Sequence, residues 1–294
     1  RTGAVAPLVA LVKEGADQVK DAAAGALWAL ATDNPSNKST TAKLNGIEPL
    51  VALLVSGGSD TMQVRTIGAL TSLASKHNEN RETIAKQLVA RLNSRISMLQ
   101  TSGGAVRVLS SVGLLAQDSA ANQIALAKAG VVSHLIVWLS GGLDSRAYNP
   151  DAQREAAQAL LSLATNNDTL QSLIAKSAGI PPLIELVSTG TLETKDFATR
   201  TLWHLAGNCE VGGVIAQAGG LIPLVEMLSM PDVHAQELAA VVIARLASSN
   251  SNVSLTVAQA GGVAPLVRLV KSGSNAAQQQ AAFALAEVGL APAN

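Results

Sequence analysis

The stretch GIEPLVALLV, Gly46–Val55, decides the fold because its glycine, proline and apolar residues return along the whole chain. The position of its proline recurs in steps of 42, 85, 48, 41 and 42 residues. The residues at that position are Pro7, Pro49, His134, Pro182, Pro223 and Pro265. Since the step of 85 is two periods, the pattern predicts seven copies of a unit of about 42 residues.

A second phrase also recurs along the chain, with its last core leucine 23 residues after the proline in the first and fifth copies, at Leu30 and Leu205. It reads GALWALATDN from Gly25, QALLSLATNND from Gln158 and RTLWHLAGNCE from Arg200. Its apolar spacing predicts a helix, and the proline of the first phrase suits the first turn of a preceding helix. A short helix, such as residues 122–128, leads into the next glycine turn. The polar ends of the long helices predict left-handed caps, and these ends are Asn34, Asn166–Asn167, Gly207–Asn208 and Asn250.

No such unit can bury its own apolar side, whereas stacked neighbours can, so the sequence predicts an all-α solenoid. The expected copies are residues 1–34, 35–78, 79–118, 119–167, 168–208, 209–250 and 251–294. The third copy lacks the glycine turn and the proline, which predicts one continuous helix from Glu82 to Leu99. The fourth copy carries an insertion at residues 141–151, which includes the single tyrosine, Tyr148.

Composition excludes several classes of function. Charged residues make up 14% of the chain, against about 25% in an average soluble domain, and the formal net charge is +0. A nucleic-acid partner held by general electrostatics is therefore not expected. No apolar run approaches the roughly 18 residues that span a bilayer, so direct membrane insertion is not expected either.

The single cysteine, Cys209, excludes an intrachain disulfide framework. It favours an intracellular location, with the cytoplasm expected and the nucleus as the alternative. The chain begins with Arg1, and neither end carries a polar cap. Because solenoid ends need capping, we expect a fragment of a longer protein or self-association through the uncapped ends.

Motifs of catalysis are missing from the sequence. There is no H-E-x-x-H metal motif, no G-x-x-x-x-G-K-[ST] phosphate loop and no serine in a nucleophile elbow. The glycine pairs have a structural reason in the repeat turns. We therefore expect no enzyme activity, no metal and no cofactor.

The period near 42, the turn AGGLIPLV (Ala218–Val225) and the helix ALWALA (Ala26–Ala31) resemble the armadillo repeat over nearly the whole chain. Among armadillo proteins, the closest likeness is to the vacuolar-protein-8-like and plant-type members. The resemblance implies a right-handed superhelix whose third helices line a concave groove that binds a segment of a partner protein.

Groove positions follow from the helical spacing around Trp28 and its equivalents in the other copies. The predicted partner-binding residues are Trp28, Thr32, Thr71, Ser75, Gln117, Arg154, Gln158, Leu161, Asp196, Arg200, Trp203, His204 and Ser248. In nuclear-import adaptors that the repeat resembles, this tryptophan stacks on Lys or Arg of a bound peptide, and an asparagine four residues later holds the peptide backbone. Here Thr32 and Gly207 occupy the asparagine position, so the ladder of asparagines is missing.

Two interpretations of several residues stay open at this point. Trp28 and Trp203 either anchor a partner or fill space between neighbouring helices, whereas Trp138 is expected in the core. Arg200, with Arg154 in the preceding copy, either holds an acidic group or is a solvated arginine paired with Asp196.

The leading hypothesis is therefore a non-catalytic scaffold that binds a protein or peptide partner along the groove. The alternatives are a transport adaptor for basic peptide signals and a structural subunit that stacks end to end in a larger assembly. The insertion at residues 141–151 is an alternative contact surface.

Overall fold

The computed structural model describes residues 3–93, 103–141, 149–249 and 251–289, and within these ranges every regular element is a helix. They fall into two compact units, Arg1–Ala159 and Leu160–Asn294. Helices of the first unit are α1 Val5–Glu14, α2 Asp17–Ala31, α3 Pro35–Lys43, α4 Ile47–Ser56, α5 Asp60–Ala74, α6 Asn78–Asn93, α7 Gly104–Ala116, α8 Ala120–Lys128 and α9 Val131–Leu139. Helix α10, Pro150–Ala164, contains the boundary between the units. Helices of the second unit are α11 Asp168–Lys176, α12 Ile180–Thr189, α13 Leu192–Leu205, α14 Cys209–Gln217, α15 Leu221–Met227, α16 Val233–Ser249, α17 Ser251–Gln259, α18 Val263–Ser272 and α19 Asn275–Gly289.

In five copies the helices follow the predicted order of a short first helix, a second helix and a long third helix, whereas the first copy lacks the first helix and α6 replaces the first two in the third copy. The third helices are α2, α5, α7, α10, α13, α16 and α19. Their leucines and alanines form the core, and Leu70, Leu73, Leu202 and Leu205 are fully buried. Each such leucine stabilises the fold by about 1.5–3 kcal/mol relative to an exposed one. Trp138 is 6% exposed on α9, so its predicted place in the core is confirmed.

The third copy contains the expected continuous helix in its described part. Helix α6 runs without a break from Asn78 to Asn93, because no glycine or proline interrupts it. Residues 94–99 of the predicted helix lie outside the described residues. Residues 142–148 of the insertion, with Tyr148, lie outside them as well.

The glycine pair before α15 has two different physical reasons. Gly219 has a φ of +82°, a left-handed conformation that L side chains rarely adopt. Gly220 has ordinary helical angles, but a Cβ there would lie 2.8 Å from Ile215 Cγ2 and 2.9 Å from the Ile215 carbonyl oxygen. The first glycine therefore provides a backbone conformation, and the second allows a close approach.

The prediction of left-handed caps was wrong for three residues, Asn34, Gly207 and Asn208, none of which has a positive φ. Asp33 adopts the left-handed conformation, with a φ of +50°, and Asn34 is extended. The Asn34 side chain instead accepts a hydrogen bond from the Asn37 backbone N–H and so caps the next helix, α3. In the second unit, Asn166 is left-handed as predicted, whereas Asn167 caps α11 in the same way.

A repeated polar contact, which the sequence analysis did not predict, joins the start of five helices, α3, α6, α8, α11 and α17, to the third helix before each of them. A side chain donates a hydrogen bond to the carbonyl oxygen seven residues earlier, where the third helix ends and its carbonyls lack helical partners. These contacts are Asn37 to Leu30 (2.8 Å), Asn80 to Leu73 (3.1 Å), Asn122 to Leu115 (2.7 Å), Gln171 to Ala164 (2.9 Å) and Ser254 to Ala247 (3.4 Å). We call this set the polar ladder.

Across the described residues, no single helix is both long and apolar enough to cross a bilayer. Two sharply bent helix pairs reach the required length and composition only when their halves are joined, and these are Ala120–Lys128 with Val131–Leu139 and Val253–Gln259 with Val263–Ser272.

Candidate partner-binding surface

Neighbouring third helices meet through the residues that the sequence analysis assigned to the groove, or through residues next to them. We call this exposed side the third-helix face, which comprises Trp28, Thr32, Thr71, Ser75 and Gln117 in the first unit and Trp203, His204, Arg245 and Ser248 in the second. Thr32 Oγ1 lies 3.3 Å from Ser72 Oγ on the next third helix. In the second unit, Thr165 Oγ1 lies 3.4 Å from His204 Nε2. These contacts fix the register in which the side chains of the face are presented.

Trp28 is both packed and exposed. A Cβ on Gly68 of α5 would lie 2.6 Å from the Trp28 ring atoms Cδ2 and Cε2, so the ring lies directly against the glycine backbone. The tryptophan nevertheless remains 38% exposed. The interpretation of Trp28 as a residue that fills space between helices is therefore confirmed, and its role as an anchor for a partner stays a prediction.

Arg65, on the third helix next to that of Trp28, already has a carboxylate partner. Arg65 Nη1 donates to Asp21 Oδ2 at 2.8 Å, and the two side chains belong to adjacent third helices. Gly25 gives the arginine room, since a Cβ there would lie 3.0 Å from Arg65 Cδ. The face of the first unit is thus close to electrically neutral around Trp28.

Trp203 in the second unit is arranged differently. The guanidinium carbon of Arg245, on α16, lies 4.4 Å from the centre of the Trp203 ring, a cation–π contact. The His204 ring meets Trp203 edge to face, with 4.8 Å between the ring centres. Gly207 allows this arrangement, because a Cβ there would lie 2.3 Å from Arg245 Nη2. One face of the Trp203 ring is therefore occupied by the protein's own arginine.

Positive charge collects around Trp203. Burial first, and then the charges of Arg245 and Arg200, lower the pKa of His204 below its ordinary value. Arg200 lies 3.5 Å from Asp196, which confirms the interpretation of Arg200 as a solvated arginine paired with that residue. Asp196 also accepts a hydrogen bond from His234 Nε2 at 2.8 Å, so its charge is shared between two partners.

We expect the stability of the protein to depend on pH through His204. Because the folded-state pKa is depressed, folding favours the neutral imidazole, and its contribution to stability is complete only above the unfolded pKa of about 6.5. That contribution is lost as the pH falls from about 6.5 toward the lower folded value. Urea unfolding at about pH 8 and about pH 5 should therefore show a smaller loss of stability in His204→Gln than in the parent. Equal losses would contradict the assignment.

A polar cavity of about 430 Å³ opens beside Trp203. Its volume falls within the roughly 300–1,000 Å³ that is typical of ligand pockets. Its walls come from the turn after α10, from α11, from α13 and the turn after it, and from α16. The lining residues are Asn166, Asp168, Gln171, Trp203, His204, Gly207, Asn208 and Arg245.

The remaining predicted site residues differ in their exposure. Thr32, Thr71, Ser75, Gln117 and Ser248 are exposed, and Gln158 is half-buried. The prediction was wrong for Leu161, which is 7% exposed and packs in the core because its side of the helix is covered. Arg154 forms an ion pair with Glu155 at 2.9 Å.

Sequence reasoning missed Arg65 and Arg245. Arg245 directly follows Ala244 in the sixth copy, just as His204 directly follows Trp203 in the fifth. That shared register was the available signal, because the residue after the Trp28 position was predicted in the fifth copy, at His204, but not in the sixth, at Arg245. Among the described residues, no group of three or more His, Cys, Asp or Glu side chains could hold a metal ion.

No protein-family model matches the chain, and no curated protein sequence is significantly similar to it. Solved structures do match. An engineered protein shares 29% identity with a TM-score of 0.71 over 99% of this chain and 69% of its own. A designed armadillo repeat protein for modular peptide recognition shares 19% identity with a TM-score of 0.57, over 96% of this chain and 99% of its own. A designed armadillo repeat protein in complex with the peptide (KR)4 shares 20% identity with a TM-score of 0.58, over 97% and 99%. The fold is therefore the all-α armadillo-repeat solenoid.

Proposed function

We propose that the protein is a non-catalytic scaffold that binds a segment of another protein on its third-helix face. The observation that carries this proposal is Trp28, a large apolar side chain held firmly on Gly68 and still 38% exposed. Tryptophan is the residue type most enriched among the hot spots of protein interfaces. Exposed small polar residues surround it on the same face, at Thr32, Thr71 and Ser75.

The proposal also covers the location of the protein in the cell and its closest relatives. The chain acts inside the cell, in the cytoplasm or the nucleus, as its single cysteine suggests. Among armadillo proteins, the third-helix phrases ending in Leu-Ala and a polar residue favour a relation to the vacuolar-protein-8-like and plant-type members.

The side chains around Trp203 argue against the adaptor for basic signals. Stacking on a partner's lysine or arginine needs a free ring face, and Arg245 already covers one face of Trp203. A second cation brought to this ring would meet the charge of Arg245 at close range. The asparagine four residues later is also missing, since Gly207 stands there.

A peptide library tests the scaffold function. Peptides would be selected from a random display library on the whole chain, and their affinity measured by fluorescence anisotropy. Trp28→Ala or Trp203→Ala should weaken binding of a selected peptide by about tenfold or more, as expected for a hot spot. The control is Ile222→Ala, which removes an apolar residue of a second helix that is even more accessible than Trp28, at 59% exposed, and should leave affinity unchanged. Selected peptides that bind both tryptophan variants as tightly as the parent would contradict the proposal.

End-to-end stacking is the second candidate function. It is favoured by exposed apolar side chains on the last two helices, which are Val263, Val267, Val270 and Phe283, each 36–51% exposed. Light scattering over a range of concentrations separates the two functions. A stacking subunit increases in mass with concentration, whereas the scaffold alone stays monomeric.

A further inference from the structure

The charges around Trp203 deepen the proposed function, because they favour one kind of partner. We infer that the third-helix face of the second unit binds an acidic peptide segment, with a Glu or Asp side chain of the partner held by Arg245 in the cavity beside Trp203. This inference rests on the scaffold function and adds the chemistry of the partner.

Arg245 is an arginine without a counter-charge. Among the described residues, no carboxylate lies within ion-pair distance of its guanidinium group, and its Nε is buried with no hydrogen-bond partner. The part of the guanidinium group that lines the cavity is the part a partner can reach, and a carboxylate there would supply the missing counter-charge through charge-assisted hydrogen bonds. Arginine suits this role because its planar fork matches the geometry of a carboxylate.

Trp203 and Gly207 hold the arginine in place. The Trp203 ring packs against one side of the guanidinium group, with 4.4 Å between the ring centre and Arg245 Cζ. Gly207 has no side chain, which leaves room for Arg245 Nη2. A cation held in this way loses less conformational freedom when it binds a partner than a free arginine does. Amide groups of Asn166, Gln171 and Asn208 line the same cavity.

The other charged groups near the cavity leave Arg245 uncompensated. Asp168 lines the cavity but makes no ion pair with a described residue. Asp196 is engaged by Arg200 at 3.5 Å and by His234 at 2.8 Å. The positive charges of Arg245 and Arg200 both contribute to lowering the pKa of His204. His204 is therefore a third group near the cavity that can carry a positive charge at low pH.

The first unit provides a matched comparison. Arg65 also crosses from one third helix to its neighbour beside a glycine, but Asp21 neutralises it at 2.8 Å. A partner carboxylate at Arg65 would have to displace this ion pair, whereas at Arg245 it would meet a free cation. Comparing variants of the two arginines therefore distinguishes binding at a specific site from a general effect of surface charge.

The test is a fluorescence anisotropy titration of the whole chain with a fluorescein-labelled octaglutamate peptide at low salt. We expect binding that weakens as salt is added, and that weakens about tenfold or more in Arg245→Gln, the range for a charge-assisted hydrogen bond. Arg65→Gln should change the affinity by less than about twofold, because that cation is already paired. Circular dichroism would establish that each variant is folded.

A second variant of the same site is expected to strengthen peptide binding instead of weakening it. Asp168→Asn removes a negative charge from the cavity wall that would repel a partner's carboxylate, and it should strengthen binding of octaglutamate a few-fold. No binding of octaglutamate to the parent, or equal losses in Arg245→Gln and Arg65→Gln, would overturn the inference. If library-selected peptides still depended on Trp28 or Trp203 in that case, the scaffold function would stand and only the acidic partner would be wrong.

Discussion

Asn80→Asp should lower the free energy of unfolding by more than about 3 kcal/mol. This is roughly the cost of burying an unpaired negative charge next to carbonyl oxygens. Asn80 is 1% exposed, and its Nδ2 donates to the carbonyl oxygens of Leu73 at 3.1 Å and Lys38 at 3.2 Å. Aspartate has the same shape but cannot donate, so it would place a carboxylate against two carbonyl oxygens. Urea unfolding followed by circular dichroism measures the loss.

Asn80→Ala separates the hydrogen bonds from the volume of the side chain. It leaves the Leu73 carbonyl oxygen at the end of α5 without a donor, at about 1–3 kcal/mol for a buried group, but it also removes Asn80 Oδ1, which is buried without a partner. We therefore expect a net loss of about 2 kcal/mol, smaller than for aspartate. Asn37→Ala is the control, since that half-buried side chain donates only one such bond, to Leu30, and should cost about 1 kcal/mol. An aspartate variant as stable as the alanine variant would show that donation does not explain the polar ladder.

Gly220→Ala should destabilise the protein by about 2 kcal/mol, in the range for overpacking a rigid site. The added methyl group would lie 2.8 Å from Ile215 Cγ2, 2.9 Å from the Ile215 carbonyl oxygen and 3.1 Å from Ile184 Cδ1. A backbone atom cannot rotate away, so the turn and α15 would have to shift. Alanine favours helical angles over glycine by about 0.4–1 kcal/mol, which offsets only part of the cost.

Gly219→Asn is the matched control for Gly220→Ala. No atom lies within 4 Å of a Cβ at Gly219, and only its φ of +82° restricts the choice of residue. Asparagine tolerates this conformation, and Asn45 adopts it at the equivalent place in the second copy, with a φ of +54°. We expect Gly219→Asn to change the thermal midpoint little, while Gly220→Ala lowers it clearly. A Gly220→Ala variant as stable as the parent would contradict the close approach.

The order of the helices could be predicted because the repeated phrases encode it. A glycine, a proline and an apolar stripe at fixed spacing determine where a helix begins and which side it buries, as at Trp138 and along α6. The pairing of Arg200 with Asp196 was also within reach, since residues four apart on one helix are neighbours.

Contacts between helices could not be predicted in the same way. The pairs Trp203–Arg245 and Asp21–Arg65 depend on the register between two third helices and on the glycines that let them approach. Periodicity alone does not give that register. Leu161 was placed wrongly for the same reason, because its burial depends on neighbours and not on its own helix.

The most direct test of the scaffold function is where a bound peptide lies. A library-selected peptide carrying a benzophenone group would be cross-linked to the whole chain by light, and the linked residues identified by mass spectrometry. We predict links to third-helix residues such as Thr71, Ser75 and Ser248. Links confined to second helices, for example around Ile222, would contradict the account.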